Sequence, residues 1–228
     1  MTDIDTIAEI GTALGTLFLG IATFAAVRSG NRAARVSERS LLLGMRPVLT
    51  PARPEDPDQR VLFGDGRSFL VRSDTGLAEE IDGIVYLAIP VHNVGTGLAV
   101  LQRYDIVTGI PLLPAQQRLE PGRHDRQARH YGPVEHFRYQ QRDLYVASGD
   151  NGYWQAALRD PDDEVRTDVI AAIRERAPIS VDLLYGDHEG GQPTVSRFTL
   201  IPGAGGEWIP TVAFHWSVRG PDPREQDF

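Results

Sequence analysis

Between Ile10 and Val27 the chain runs for eighteen residues, IGTALGTLFLGIATFAAV, without one charged side chain. No other stretch limits the fold as much. A helix on the surface of a soluble domain is apolar along one stripe, whereas this one would be apolar on every face and would need burial all round. With Ile7 to Glu9 the segment reaches twenty-one residues. At about 1.5 Å rise per residue that is roughly 30 Å, the thickness of a bilayer's hydrocarbon core. The sequence therefore predicts a transmembrane helix. A buried helix of a soluble domain is one competing reading. A cleaved signal peptide is another, but its leading residues should be positive, and here they include Asp3, Asp5 and Glu9.

The flanks give the direction of crossing. Only acids precede the run, while Arg28, Arg32, Arg35 and Arg39 follow it. Arginines accumulate on the cytoplasmic side, so the N-terminus is expected outside and the remainder of the chain in the cytoplasm, held at the inner (plasma) membrane by a single pass. The spacing of these four places them on one stripe of a continuing helix, where they can meet anionic headgroups. Gly11 and Gly15 form a GxxxG pair, a spacing that lets two helix backbones approach and so offers a route to a homo-oligomer.

The chain divides on this reading into residues 1–46, a transmembrane helix with a basic extension, residues 47–219, a β-sandwich domain, and residues 220–228, a flexible tail. Gly44 and Pro47 close the helical stretch. Val85, Leu87, Ile89 and Val91 then alternate with Tyr86, Ala88, Pro90 and His92, a period of two that marks a strand. Pro90 cannot donate to a ladder and points to an edge or a bulge. Val212, Phe214, Trp216 and Val218 alternate in the same way. Ile179 to Tyr185 and Thr194 to Ile201 flank GDHEGGQP, a hairpin connection. One helix is signalled by Asp160 as cap, Pro161 and three acids in the first turn, an apolar face of Val165, Val169, Ile170 and Ile173, and Pro178 beyond its end. The expected fold is mainly β: an N-terminal helix, then a β-sandwich with one covering helix.

Composition excludes some functions. The net charge is −8, and the part from Ser40 onward carries all of it, since the acids and arginines before it cancel. Such a domain repels phosphate backbones, and no nucleic-acid partner is expected. With no cysteine there is no disulfide, thiolate metal site or cysteine nucleophile. All 23 basic residues are arginine.

Arg46 and Pro47, followed by Asn93-Val94-Gly95-Thr96-Gly97-Leu98-Ala99, carry a resemblance. A membrane helix, a basic stretch ending in "RP", and a strand closing in an N-x-G-x-x-A-like turn resemble a group of uncharacterised bacterial single-pass membrane proteins with an immunoglobulin-like β-sandwich. The resemblance implies that fold and no activity. Physically, Asn93 and the two glycines are expected to supply left-handed backbone positions for a turn.

Chemistry is thinly signalled. The six histidines show no metal-binding spacing. Asp187, His188 and Glu189 sit together at a turn and define the alternative reading, a metal-dependent or other hydrolytic enzyme. Residues 116–142 hold six arginines against three acids, among them Arg118, Arg123, Arg126 and Arg129, and offer an anionic partner or a membrane surface a place to bind. Otherwise these charges pair with the acidic body. The leading expectation is a membrane-tethered, non-enzymatic interaction module that binds the bilayer and a protein partner, with no cofactor or metal.

Overall fold

The computed structural model of the chain describes residues 2–108 and 133–218, with side chains except at 2–17, 39, 42 and 43. The chain forms two compact units, Met1–Gly44 and Met45–Phe228. The first is a single unbroken helix, α1 (Thr2–Gly44, 43 residues). Phe18, Leu19, Ile21, Phe24 and Val27 on it are 56–77% exposed. Arg28, Arg32 and Arg35 are exposed as well. Among the described residues no helix is long and apolar enough to cross a membrane. The first part of the uncharged run, Ile10 to Leu17 with Gly11 and Gly15, lies outside the described side chains, as does Arg39.

The second unit is mainly β. Its strands are β1 (Leu49–Pro51), β2 (Gln59–Leu62), β3 (Ser68–Val71), β4 (Leu77–Ile81), β5 (Ile84–Asn93), β6 (Ala99–Thr108), β7 (Arg138–Tyr139), β8 (Tyr145–Val146) and β9 (Asn151–Leu158). The helix α2 (Glu164–Glu175) follows, then β10 (Ile179–Gly186), β11 (Thr194–Pro202) and β12 (Trp208–Ser217). All pairings are antiparallel. In one sheet β9 lies along one side of β5, while β4 and β1 share the other. The larger sheet runs β12-β11-β10-β6, with β7 and β8 pairing to the far side of β6. β2 and β3 form a separate hairpin.

Side chains from both large sheets join in one core. Leu87, Ile89, Val91 and Trp154 come from the first sheet, and Leu101, Val181, Leu183 and Phe198 from the second. α2 adds Val169 and Ala172. The other face of β5 is buried too, because Tyr86 and Ala88 pack against Val61, Phe63 and Val71 of the hairpin. That double burial explains why IVYLAIPV is apolar at nearly every position rather than at every second one.

Two local expectations change, and one turn is added. β5 is an interior strand, not an edge. Pro90 is accommodated because its carbonyl accepts from Ala52 N at 3.1 Å, between the end of the β4 ladder at Ala88 and the start of the β1 ladder at Val91. Its ring nitrogen therefore faces the interval where no ladder donor is required. The cap of α2 is Asp163 rather than Asp160: its carboxylate accepts from Val165 N, while Asp160 only closes the preceding turn onto Asp162 N. Finally, the β4–β5 turn carries the left-handed pair Asp82 (φ 53°) and Gly83 (φ 75°), an Asp-Gly signature of a tight hairpin.

Candidate functional site

The residues singled out from sequence fare unequally. Arg118, Arg123, Arg126 and Arg129 lie outside the described residues, as does the tail 220–228. Of the two described arginines of that segment, Arg142 is exposed and Arg138 pairs inward. Arg138 makes a two-pronged bond to the Asp163 cap at 2.6 and 2.8 Å, and this contact, above all others, holds the Asp163 carboxyl below its usual range. The alternative enzymatic trio is not gathered. Asp187 is buried and spends Oδ1 on the amides of Glu189 and Gly191, closing the β10–β11 turn, while His188 and Glu189 are exposed. Among the described residues no group of three His, Cys, Asp or Glu is placed to hold a metal ion.

The two halves of the sequence resemblance touch each other. Asn93, Gly95 and Gly97 are not in the left-handed region, which corrects that expectation. The glycines are required by close approach instead. A Cβ on Gly95 would stand 2.4 Å from Arg46 O, and one on Gly97 would stand 1.7 Å from Met45 O. The Met45–Val48 segment thus lies directly on the NVGTG turn. Asn93, fully buried, ties the two together. Its Nδ2 donates to Gly97 O (2.7 Å) and Val146 O (3.0 Å), and its Oδ1 accepts from Val48 N (3.2 Å) and Gly95 N (3.0 Å).

Beside this seam a polar chain runs from the buried Tyr185 and Ser196 out to the exposed His215. Leu49 N donates to Tyr185 Oη at 3.2 Å, Tyr185 Oη is 2.8 Å from Ser196 Oγ, and Ser196 Oγ is 2.6 Å from His215 Nδ1. Arg46 donates to Ser217 Oγ at 2.9 Å nearby. A neutral ring protonated at Nε2 accepts at Nδ1, and the protons then run from Tyr185 to Ser196 to His215. A protonated ring must donate at Nδ1, which turns the chain round toward the Leu49 amide. Burial, then the Arg46 charge, push the His215 pKa below 6.5. The unfolded chain therefore takes up that proton more readily than the folded one. Stability contributed here is complete above about pH 6.5 and declines as the pH falls below it. Denaturation midpoints of the full chain in detergent, followed from about pH 7.5 down to about pH 5, should fall in the wild type and fall less in His215→Gln. Equal slopes would remove His215 from the account.

On the outer face of the larger sheet sits a buried ion pair that sequence reading missed. Arg197 Nε and Nη2 meet Asp182 Oδ1 and Oδ2, each at 2.6 Å, with Asp182 1% and Arg197 5% exposed. Asp105 stands opposite Asp182 on β6. Its pKa is raised, by burial first and by the Asp182 charge second. The arginine also lies over the Trp216 ring, 5.4 Å from its centre, and Trp216 stacks on Phe214 at 5.2 Å.

That aromatic pair belongs to β12, whose outer side is the feature best fitted to binding. Among the described strands β12 pairs with β11 alone, apart from one bridge from Trp208 to Gly76 at its start. Ten residues, WIPTVAFHWS, contain no Asp, Glu, Lys or Arg, and Ile209 and Phe214 are 42% and 40% exposed. Edge strands are ordinarily guarded by charge. Here the guards are Pro210 and a register shift at Ala213, opposite Arg197 and Phe198.

At the opposite edge of the same sheet a cleft of about 410 Å³ opens between β7, β9 and the β2–β3 hairpin. Gln140 and Gln155 line it, and their Oε1 atoms are buried without a hydrogen-bond partner. No family model, curated protein or solved structure matches the chain.

Proposed function

We propose that this chain is a single-pass inner-membrane protein of bacterial type whose β-sandwich, immunoglobulin-like domain serves as a non-enzymatic docking module on the cytoplasmic face. The tether reading is supported by the uncharged run from Ile10 to Val27, by an unbroken helix that continues it, and by large apolar side chains exposed along that helix. Arg28, Arg32, Arg35 and Arg39 give the sidedness and meet anionic headgroups. Gly11 and Gly15 offer a helix-packing face for self-association. Arg118, Arg123, Arg126 and Arg129 remain a second candidate contact for an acidic partner.

The observation that carries the docking reading is β12, an uncharged ten-residue edge with an exposed aromatic. A partner strand adding to that edge gains main-chain hydrogen bonds for affinity and the Phe214 surface for selectivity. The test is co-purification of partners from native membranes with wild type and Phe214→Lys, a change that places a charge on the edge as natural negative control. The expected result is loss of the bound protein in the variant, with cooperative unfolding retained and the unfolding free energy within about 1 kcal/mol of wild type. Retention of the same partners by a folded Phe214→Lys chain would rule out the edge.

A further inference from the structure

Among the described residues of the second unit, Arg46 is the half-buried arginine that meets neither a carboxylate nor a carbonyl. Its two hydrogen bonds both leave from Nη2, to Ser217 Oγ at 2.9 Å and Thr194 Oγ1 at 3.4 Å. The other half-buried arginines are taken: Arg67 by Asp82, Arg138 by Asp163, and Arg103, Arg166 and Arg176 by main-chain carbonyls. A guanidinium carries five N–H donors in a fork that fits a carboxylate, and here Nε and Nη1 are left over. The Arg46 charge reaches both His215 and Tyr185, and no carboxylate offsets it at either. A half-buried cation whose partners are hydroxyls alone asks for an anion.

The place of this cation on the sheet says what kind of anion. In an antiparallel ladder the N–H and C=O of one residue point to the same side. Trp208 O accepts from Gly76, away from β11, whereas Val218 N donates to Pro193 O, just ahead of β11. Counted by twos from either end, with the extra residue Ala213 between, Pro210 and Val212 face outward before the shift and His215 and Ser217 after it. Pro210 has no N–H to offer, so the receptive part of the edge is the stretch that ends in His215 and Ser217. The side chains of these two lie on the face that Arg46 occupies, since Ser217 stands opposite Thr194 and His215 opposite Ser196. Trp216 and Val218 lie on the other face, in a small apolar cluster.

We infer that the strand docking on β12 carries an aspartate or glutamate opposite Ser217, with an apolar residue on either side of it. This rests on the docking reading proposed above and adds the partner's chemistry to it. Directly opposed residues have Cβ atoms about 5 Å apart, so a carboxylate set against the small Ser217 side chain can take the open side of the Arg46 fork. The two neighbours of that acid point to the opposite face, beside Trp216 and Val218.

Selection of random peptides about eight residues long, an ordinary strand length, against the full-length chain in detergent tests this. Peptides that bind wild type and not Phe214→Lys are the edge binders. Among them an acid between two apolar residues should be enriched, and Arg46→Glu should select Lys or Arg in its place. In a synthesised edge binder, changing the acid to its amide should weaken binding to wild type by about fivefold or more and leave binding to Arg46→Gln unchanged. Should Arg46→Glu lose cooperative unfolding, the acid-to-amide change decides, because it leaves the protein untouched. Edge binders with no preferred acid, or an acid whose amide binds as tightly, overturn this inference and leave the docking reading standing. A selection that returns no edge binders overturns both.

Discussion

Asp182→Ala lowers the stability of the domain by about 3–5 kcal/mol, the usual consequence of stripping one partner from a buried ion pair. The carboxylate it removes accepts two bonds from Arg197 at 2.6 Å, and both side chains are more than nine-tenths buried. The guanidinium would be left in the sheet without the carboxylate that compensates its desolvation. Asp105, directly opposite on β6, feels the Arg197 charge, and its own charge softens the loss. The double variant Asp182→Leu with Arg197→Met should recover most of the stability, because an apolar pair of similar volume carries no desolvation cost. Chemical denaturation of the three proteins checks this. A double variant as unstable as Asp182→Ala would mean that the packing of Arg197 over Trp216, and not the charge, is what matters.

Asn93→Ala should be as damaging by another route. One side chain serves four backbone groups: Val48 N, Gly95 N, Gly97 O and Val146 O. At about 1–3 kcal/mol for each of the two buried carbonyls left unmade, Gly97 O and Val146 O, and less for the part-buried amides, the loss is about 3 kcal/mol or more. Asn93→Asp is not a rescue, since it turns carboxylate oxygen toward two carbonyls. Hydrogen exchange gives the sharper reading. The amides of Val48 and Gly95 should lose protection first, and the β10–β11 ladder last. Uniform loss across the domain would deny Asn93 its local role.

Sequence made some of this legible and not the rest, for identifiable reasons. Alternation marked β5, β12 and the β10–β11 hairpin, because one-sided or two-sided burial leaves its period in the residues. α2 was visible through its apolar face and following proline, with the cap misplaced by three residues because several acids compete for the post. What period alone cannot give is the neighbour. β5 was read as an edge from Pro90, since the shared side occupied by β1 and β4, with a gap between them, has no trace in the local sequence. NVGTG was read as a left-handed turn because glycine's commonest use is conformational. Its actual reason is the absence of a Cβ beneath Met45–Val48, a contact nearly fifty residues distant in the chain. The Asp182–Arg197 pair left a fainter sign. Each charge interrupts an apolar strand, and they sit at similar distances either side of the GDHEGGQP turn, which is where hairpin register pairs them. The two unpaired glutamine oxygens left none.

Fractionation of the full-length chain after alkaline carbonate washing of membranes tests the proposed tether. The intact chain should stay with the membrane pellet through the wash and be released by detergent. Recovery of the same chain, its first thirty residues present, in the aqueous supernatant would contradict it.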